Sequence, residues 1–389
     1  MLNNEIQEFI NTHLNSDMSS LLLKGITFPN VDTKEIIQQI EAKKKCDKKL
    51  PTWFNTPNIY YPNKFNIEQT SSEVTAEYKS NLISGKSLID LTGGFGVDSY
   101  YFSKRFNEVI QCEINESLTG IVAHNYKILG NPSIKTSNCD GIQFLEENDS
   151  SYDWIYLDPS RRHDSKGKVF FLKDCLPNVP EVINLLFEHS KNVMIKTSPL
   201  LDISVGISEL KFVREIHVVA VENEVKELLW ILENHYEREI KNSTINLKNS
   251  KNETFSFMMF DEGEAKAQYS EPLDYLYEPN SAILKAGAFK SVSAQTGVFK
   301  LHPNSHLYTL EVLIKFPGRR FKIDKILPYS KSVLKLELPK KANITIRNFT
   351  ESVAEIRKKY KIAEGGNTYL FFTTNINNEK IVLICSKVG

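Results

Sequence analysis

The chain has 389 residues, 41% of them hydrophobic, and its 48 basic and 48 acidic side chains leave no formal net charge. That length accommodates two or three domains with cores of their own, and the composition excludes a disordered chain. No stretch of eighteen apolar residues exists, which excludes a helical membrane span, and Met1-Leu2-Asn3-Asn4-Glu5-Ile6 lacks the basic segment and apolar run of a signal peptide.

Residues 1–80 read as a helical region. Leu2, Ile6, Phe9 and Ile10 fall on one helical face, and Asp32 with Glu35 forms a capping box ahead of Ile36, Ile37 and Ile40. Lys43-Lys44-Lys45 and Lys48-Lys49 make a basic run, either a solvated helix end or an RNA contact. Ser71 and Ser72 precede the next helix, where either hydroxyl suits an N-cap.

The run Ser87-Leu88-Ile89-Asp90-Leu91-Thr92-Gly93-Gly94-Phe95-Gly96-Val97-Asp98 reads as a short strand ending in an acid, a glycine turn and a helix start. Ligands of doubly wound α/β sheets bind beyond such strand ends. A dinucleotide fingerprint from Gly94 needs glycine at 99, where Ser99 stands, so a nicotinamide enzyme is disfavoured. The acid with glycines following it instead resembles motif I of class I S-adenosylmethionine (SAM) methyltransferases. Glu113 ends the next strand twenty positions past Gly93, the spacing of a ribose-binding acid. Asp140 follows a third strand, where methyltransferases of this class hold the adenine amino group. Strands at 152–157 and 192–196 continue the alternation, and the runs 215–221 and 228–232 pair as an antiparallel edge. Asp158-Pro159-Ser160-Arg161 ends the fourth strand and resembles the Asp-Pro-Pro-aromatic motif of methyltransferases acting on base nitrogens. There the Asp side chain and the following carbonyl accept hydrogen bonds from the target amine. Position 161 is Arg rather than an aromatic, so Arg161 and Arg162 are read as stacking on a base or holding a phosphate.

Five cysteines at 46, 112, 139, 175 and 385 form no C-x-x-C pair, which gives no zinc framework and suits reduced thiols in a cytoplasm. His302 and His306 have helical spacing, but Pro303 and the lack of an acid between them argue against a metal site, and none is expected. Charge is segregated. Lys86 to Glu253 holds 25 acidic against 19 basic residues, whereas Arg319 to Lys361 holds 13 basic against 4 acidic, the footprint of a nucleic-acid-binding module. Glu351 to Tyr360 has a helical face of Val353, Ile356 and Tyr360; Gly365-Gly366-Asn367 reads as a turn before strands at 369–373 and 380–385.

Together these segments resemble the bacterial class I methyltransferases that bear a THUMP-like domain. The resemblance extends from D-L-T-G-G-x-G-x-D and D-P-x-R-R through Tyr275 to Gly287 and Leu301 to Tyr308, like that family's ferredoxin-like segment. It continues through Arg320 to Ile323, Ile344 to Phe349 and Gly365 to Leu370, like its THUMP-like segment. It implies a Rossmann-like α/β domain with an N-terminal helical appendage and C-terminal α+β modules. The expected spans are 1–80 helical, 81–262 catalytic, 272–317 ferredoxin-like and 318–389 THUMP-like. It implies SAM held by Ser72, Asp90, Thr92, Gly93, Gly94, Gly96, Glu113 and Asp140, with Asp158 and Pro159 catalytic and Arg161 and Arg162 on the substrate. Methyl transfer to an RNA base nitrogen is the leading expectation. A small-molecule or protein acceptor and a catalytically silent RNA-binding protein are the alternatives. Oligomeric state is not legible.

Overall fold

The computed structural model describes residues 3–25, 28, 31–161 and 171–388. The chain forms two compact units, Met1–Arg214 with Leu229–Glu237, and Glu215–Leu228 with Arg238–Gly389.

The first unit opens with helices α1 (Asn4–Thr12), α2 (Met18–Lys24), α3 (Thr33–Lys49), α4 (Pro51–Asn55), α5 (Lys64–Gln69) and α6 (Glu73–Leu82). Ile6 and Ile10 of α1 bury against Ile36 and Ile40 of α3. From Ala42 onward these helices join the main core: Cys46, Trp53, Ile67 and Ala76 share one apolar cluster with Phe95, Tyr101, Phe102 and Tyr156. This helical appendage thus packs directly on the α/β core. Asp32 caps α3 by accepting from Lys34 N at 3.1 Å, but Glu35 does not close the capping box, because the Tyr60 hydroxyl donates to Glu35 Oε1 at 2.5 Å. The lysine run is also engaged. Lys43 donates to Asn11 Oδ1, Lys45 pairs with Glu68, and Lys49 donates to the carbonyls of Ile67 and Glu68.

The sheet of this unit contains β1 (Gly85–Asp90), β2 (Phe106–Cys112), β3 (Ile134–Ser137), β4 (Tyr152–Leu157) and β7 (Ser190–Thr197), with a two-residue ribbon, β5 (Ser160–Arg161) and β6 (Cys175–Leu176), beside it. The order is β3-β2-β1-β4-β7, and every pairing within it is parallel. Helices α7 (Val97–Phe102), α8 (Glu116–Ile128), α9 (Gly141–Glu146), α10 (Val179–His189) and α11 (Ile203–Glu209) alternate with the strands. The central strands are apolar on both faces: Leu88, Ile89, Ile155, Leu157, Val193, Met194 and Ile195 are all buried, as a covered parallel sheet requires. Strand order reverses between β1 and β4, so the crevice beyond these two strands is the topological switch point. Asp90 and Asp158 stand at its two sides.

Strands β8 (Val213–Val221) and β9 (Glu224–Glu233) form a hairpin whose two turn residues, Glu222 and Asn223, both have positive φ, the tight hairpin geometry that matches strand twist. In the second unit β8 pairs in parallel with β10 (Lys241–Leu247), which pairs antiparallel with β11 (Glu253–Met258). Sequence patterning does not reveal β10. Its buried residues include Asn242, Ser243, Thr244 and Asn246, and three of them are satisfied locally: Ser243 donates to Glu215, Thr244 to the Phe255 carbonyl and Asn246 to Glu253.

After α12 (Met259–Glu264) come β12 (Tyr275–Pro279), α13 (Ser281–Ala286), α14 (Phe289–Thr296), β13 (Phe299–Lys300), β14 (Tyr308–Leu310) and β15 (Gly318–Pro328). They are followed by α15 (Lys331–Glu337), β16 (Lys341–Arg347), α16 (Val353–Tyr360), β17 (Ala363–Thr374) and β18 (Lys380–Lys387). One sheet, β13-β14-β12-β15-β18-β17-β16, takes in all seven strands, so the two C-terminal segments are a single folded body. Phe371 and Phe372, successive on β17, point to opposite faces and anchor two different clusters. Gly365-Gly366-Asn367 is not a turn between elements. It is a bulge inside β17, where the register against β16 jumps from Ala342↔Glu364 to Asn343↔Tyr369. Asn343 holds the loop by donating to the Gly366 carbonyl at 2.8 Å.

Candidate active site

The glycine corner is built from below. Asp90 is 1% exposed; its carboxylate accepts from Thr92 N at 3.0 Å and from the Ser99 hydroxyl at 2.6 Å. Burial pushes its pKa up to about 7, against the opposing pull of those two hydrogen bonds. Asp90 thus braces the loop. Gly93 N donates to the Cys112 carbonyl, while the Tyr126 hydroxyl donates to the Gly96 carbonyl and bonds Gln111. Gly96 adopts φ +77°, and a Cβ there would fall against Tyr126 and Gln111, so glycine is required. Gly94, at φ +55°, would place its Cβ no nearer than 3.9 Å from the Thr92 carbonyl oxygen.

Glu113, at the end of β2, is tied to this loop: Oε2 accepts from Gly94 N at 2.9 Å and Oε1 from Asn115 N at 2.8 Å. Two oxygens with four lone-pair sites leave capacity for ribose hydroxyls. Asp140 caps α9 through Oδ1, which accepts from Ile142 N and Gln143 N, and its side chain is exposed. Ser72 caps α6 by accepting from Thr75 N. Its neighbour Ser71 is the residue that reaches the corner, donating to Asp98 Oδ2 at 2.9 Å.

Opposite the loop, the Asp158 backbone N–H donates to the Thr92 hydroxyl at 2.6 Å, so the fourth-strand motif and the glycine corner lie one hydrogen bond apart. Pro159 behind it is buried. Asp158 Oδ2 forms an ion pair with Lys196 at the end of β7. Asp98 sits alongside, accepting from Tyr156 at 2.8 Å and ion-paired at 3.2 Å with Lys79, whose side chain is fully buried. Burial alone would raise Asp98, but Lys79 and Lys196, together with the hydroxyls of Tyr156 and Ser71, outweigh it and hold the carboxyl below its ordinary range. The side chain of Arg161 and the whole of Arg162 lie outside the described residues.

The glycine loop, Glu113 and Asp158, expected from the sequence, stand at this corner, and Asp140 caps α9; the contacts of Ser71, Lys79 and Lys196 with Asp98 and Asp158 were not expected. Asp98 closes the motif itself and Lys196 ends a strand as Asp90 and Asp158 do; only the pairing of opposite charges was hidden. The histidines at 302 and 306 are separately engaged. His302 is bonded by Asn304 N, Asn348 and Asn378, and His306 stacks on Phe289 at 3.6 Å between centroids.

Residues 275–317 match a ferredoxin-like domain model and residues 318–387 a THUMP domain-like model. Over the full length of both chains, the protein is similar to a solved structure from Porphyromonas gingivalis W83 assigned as a methyltransferase, with 33% identity and a TM-score of 0.90. The chain belongs to this family of SAM-dependent class I methyltransferases with C-terminal ferredoxin-like and THUMP-like domains. Two other solved structures resemble only part of this methyltransferase. A Mycoplasma capricolum TrmK in complex with S-adenosyl-homocysteine is 13% identical, spans 42% of this chain and 69% of its own, and has a TM-score of 0.33. A Pyrococcus horikoshii protein assigned as an RNA methyltransferase is 16% identical, spans 50% and 98%, and has a TM-score of 0.31. A search of curated proteins gave no match. Among the described residues, no helix of the methyltransferase is long and apolar enough to cross a membrane, and no cluster of three His, Cys, Asp or Glu side chains could hold a metal.

Proposed function

We propose that this methyltransferase transfers the methyl group of SAM to a base nitrogen in RNA. The observation that carries the reading is the hydrogen bond from Asp158 N to Thr92, which joins acceptor motif and cofactor loop at the switch point of the sheet. In this reading Glu113 holds the ribose and Asp140 the adenine amino group. Thr92, Gly93, Gly94 and Gly96 line the methionine end, Asp90 keeps their loop in shape, and Ser72 closes the same end from α6. Asp158 and the Pro159 carbonyl accept from the target nitrogen and aim its lone pair at the methyl group. SAM supplies a sulfonium leaving group, so the protein's contribution is mainly alignment, which can be worth ~7–11 kcal/mol of barrier. Arg161 and Arg162 would hold the acceptor's phosphate or base.

The basic stretch from Arg319 to Lys361, thirteen basic against four acidic residues, supports delivery of RNA by the C-terminal body. The five free cysteines accord with a cytoplasmic location. Asp158→Ala tests the assignment: SAM affinity by calorimetry is expected to persist while methyl transfer is lost, and retained turnover would refute the role of Asp158. RNA binding that weakens steeply with salt supports the acceptor class, and a salt-insensitive interaction would move the reading to a small-molecule or protein acceptor.

A further inference from the structure

Glu278, on β12 of the C-terminal body, is buried and gathers two arginines from other strands. Its Oε2 accepts from Arg319 Nε of β15 at 2.6 Å, and its Oε1 from Arg347 Nη2 of β16 at 2.8 Å. Gly318 lets β15 come this close: a Cβ there would fall 2.1 Å from the Glu278 carbonyl oxygen. The Arg319 guanidinium lies over the Phe321 ring, 5.5 Å from its centroid, and its Nη2 reaches the Thr345 hydroxyl at 3.4 Å. One buried acid therefore fixes both guanidinium groups, yet the two arginine side chains stay 37% and 34% exposed.

The protein answers only part of the charge and donor capacity it places here. A guanidinium carries five N–H donors and no acceptor. Among the described residues, the two groups meet the oxygens of Glu278, the Thr345 hydroxyl and the Ile346 carbonyl; Arg319 Nη1 and the buried Nε of Arg347 meet no acceptor. Glu278 is also the one carboxylate, among those residues, that pairs with either arginine. The next acid, Glu253, accepts from Asn280 and is itself paired with Lys248. Two cations on one anion leave a single positive charge. His306 reports the field: burial first, then Lys300 and Arg347, push its pKa down to about 4. A planar fork with spare donors suits a phosphate, whose oxygens take two N–H bonds at once. A phosphodiester carries one negative charge, the charge this site lacks, whereas a free phosphate monoester carries nearly two at pH 7. We propose that Arg319 and Arg347 form a phosphate-binding site, and that its occupant is a backbone phosphate of the RNA. The proposal rests on the reading that RNA is the acceptor.

The test measures binding of a fluorescein-labelled, mixed-sequence single-stranded RNA to the full-length protein across a salt series. Removing the arginines alone would leave Glu278 buried without its partners, so they are removed in a Glu278→Gln background. Glu278→Gln itself is expected to bind the RNA about 4-fold more tightly than the parent, the effect of removing one unit charge from roughly 5 Å away in water. Adding Arg319→Gln and Arg347→Gln is expected to weaken binding roughly 10- to 100-fold relative to Glu278→Gln. The log–log salt slope should shrink by about 0.7, the share of one phosphate in a single strand. Hydrogen exchange in β17 and β18 as slow as in Glu278→Gln, with SAM affinity unchanged, shows that this loss belongs to the site and not to unfolding. Equal RNA affinity and salt slope in the two variants overturns the inference and leaves RNA methylation standing. So does RNA affinity in Glu278→Gln no tighter than the parent's, a result that needs no arginine variant to fold. Inorganic phosphate that slows exchange in β15 and β16 of the parent, with RNA binding indifferent to the arginines, identifies a free-phosphate site and overturns the RNA occupant. A parent that binds no RNA at low salt, and whose labelled methyl goes only to protein or small molecules, overturns both the inference and the reading beneath it.

Discussion

Gly96→Ala separates the two demands that the cofactor loop places on glycine. Gly96 has φ +77°, a conformation costing an ordinary residue about 1–2 kcal/mol. Its added Cβ would also stand 2.9 Å from Tyr126 Cζ and Gln111 Oε1, and nearer still to the Tyr126 hydroxyl that bonds the Gly96 carbonyl. Tyr126 is 2% exposed and cannot swing away, so overpacking adds about 1–3 kcal/mol. The sum is about 2–5 kcal/mol. Gly94→Ala supplies the control: φ is +55°, but the nearest atom to its Cβ is the Thr92 carbonyl oxygen at 3.9 Å, so only the backbone cost of about 1–2 kcal/mol applies. All three tryptophans, Trp53, Trp154 and Trp230, lie in the first unit, so their fluorescence during urea unfolding follows this body alone. Gly96→Ala should unfold at clearly lower urea than Gly94→Ala, which should fall modestly below the parent. Equal or reversed midpoints would refute the argument that Tyr126 and Gln111 shape the loop from beneath.

Three further outcomes are expected. Glu113→Gln should weaken SAM binding measured by calorimetry, because a neutral amide accepts more weakly from ribose hydroxyls and from Gly94 N; unchanged affinity removes Glu113 from the site. Asp90 makes the first unit pH-sensitive. Its folded pKa of about 7 lies above the ordinary aspartate value of 3.8, so the folded state holds the proton more tightly and stability falls as pH rises from about 4 to 7. Asp90→Asn should flatten that part of the tryptophan-monitored stability profile, and an unaltered slope would contradict the assignment. In the second unit Glu278 is 3% exposed and pairs with Arg319 and Arg347. Glu278→Gln should cost about 1–3 kcal/mol, discounted because both arginines are a third exposed, and should speed hydrogen exchange in β12 and β15. Exchange identical to the parent's would show that the pair is idle.

What the sequence disclosed and what it withheld follow from how each feature is encoded. The glycine corner, Glu113 and Asp158 were legible because strand, acid and turn are contiguous, and backbone geometry alone demands those residue types. The Lys79–Asp98 and Lys196–Asp158 pairs were not, because each joins positions 19 or 38 residues apart that only the sheet brings together. The burial of Asp90 and its bonds to Thr92 and Ser99 were invisible in sequence. Strand β10 was hidden because Asn242, Ser243, Thr244 and Asn246 are polar, and the partners of Ser243, Thr244 and Asn246 lie on neighbouring elements. The β17 bulge was misread as a turn because Gly365 and Gly366 carry the same positive φ in either setting.

The most direct test of the central claim is transfer of labelled methyl from SAM into a fractionated extract of cells lacking this gene, with Asp158→Ala as the blank. Nuclease-sensitive label that is absent from the blank is the predicted result. Label that resists nuclease, or that appears equally with Asp158→Ala, would contradict an RNA methyltransferase working through the Asp158 corner.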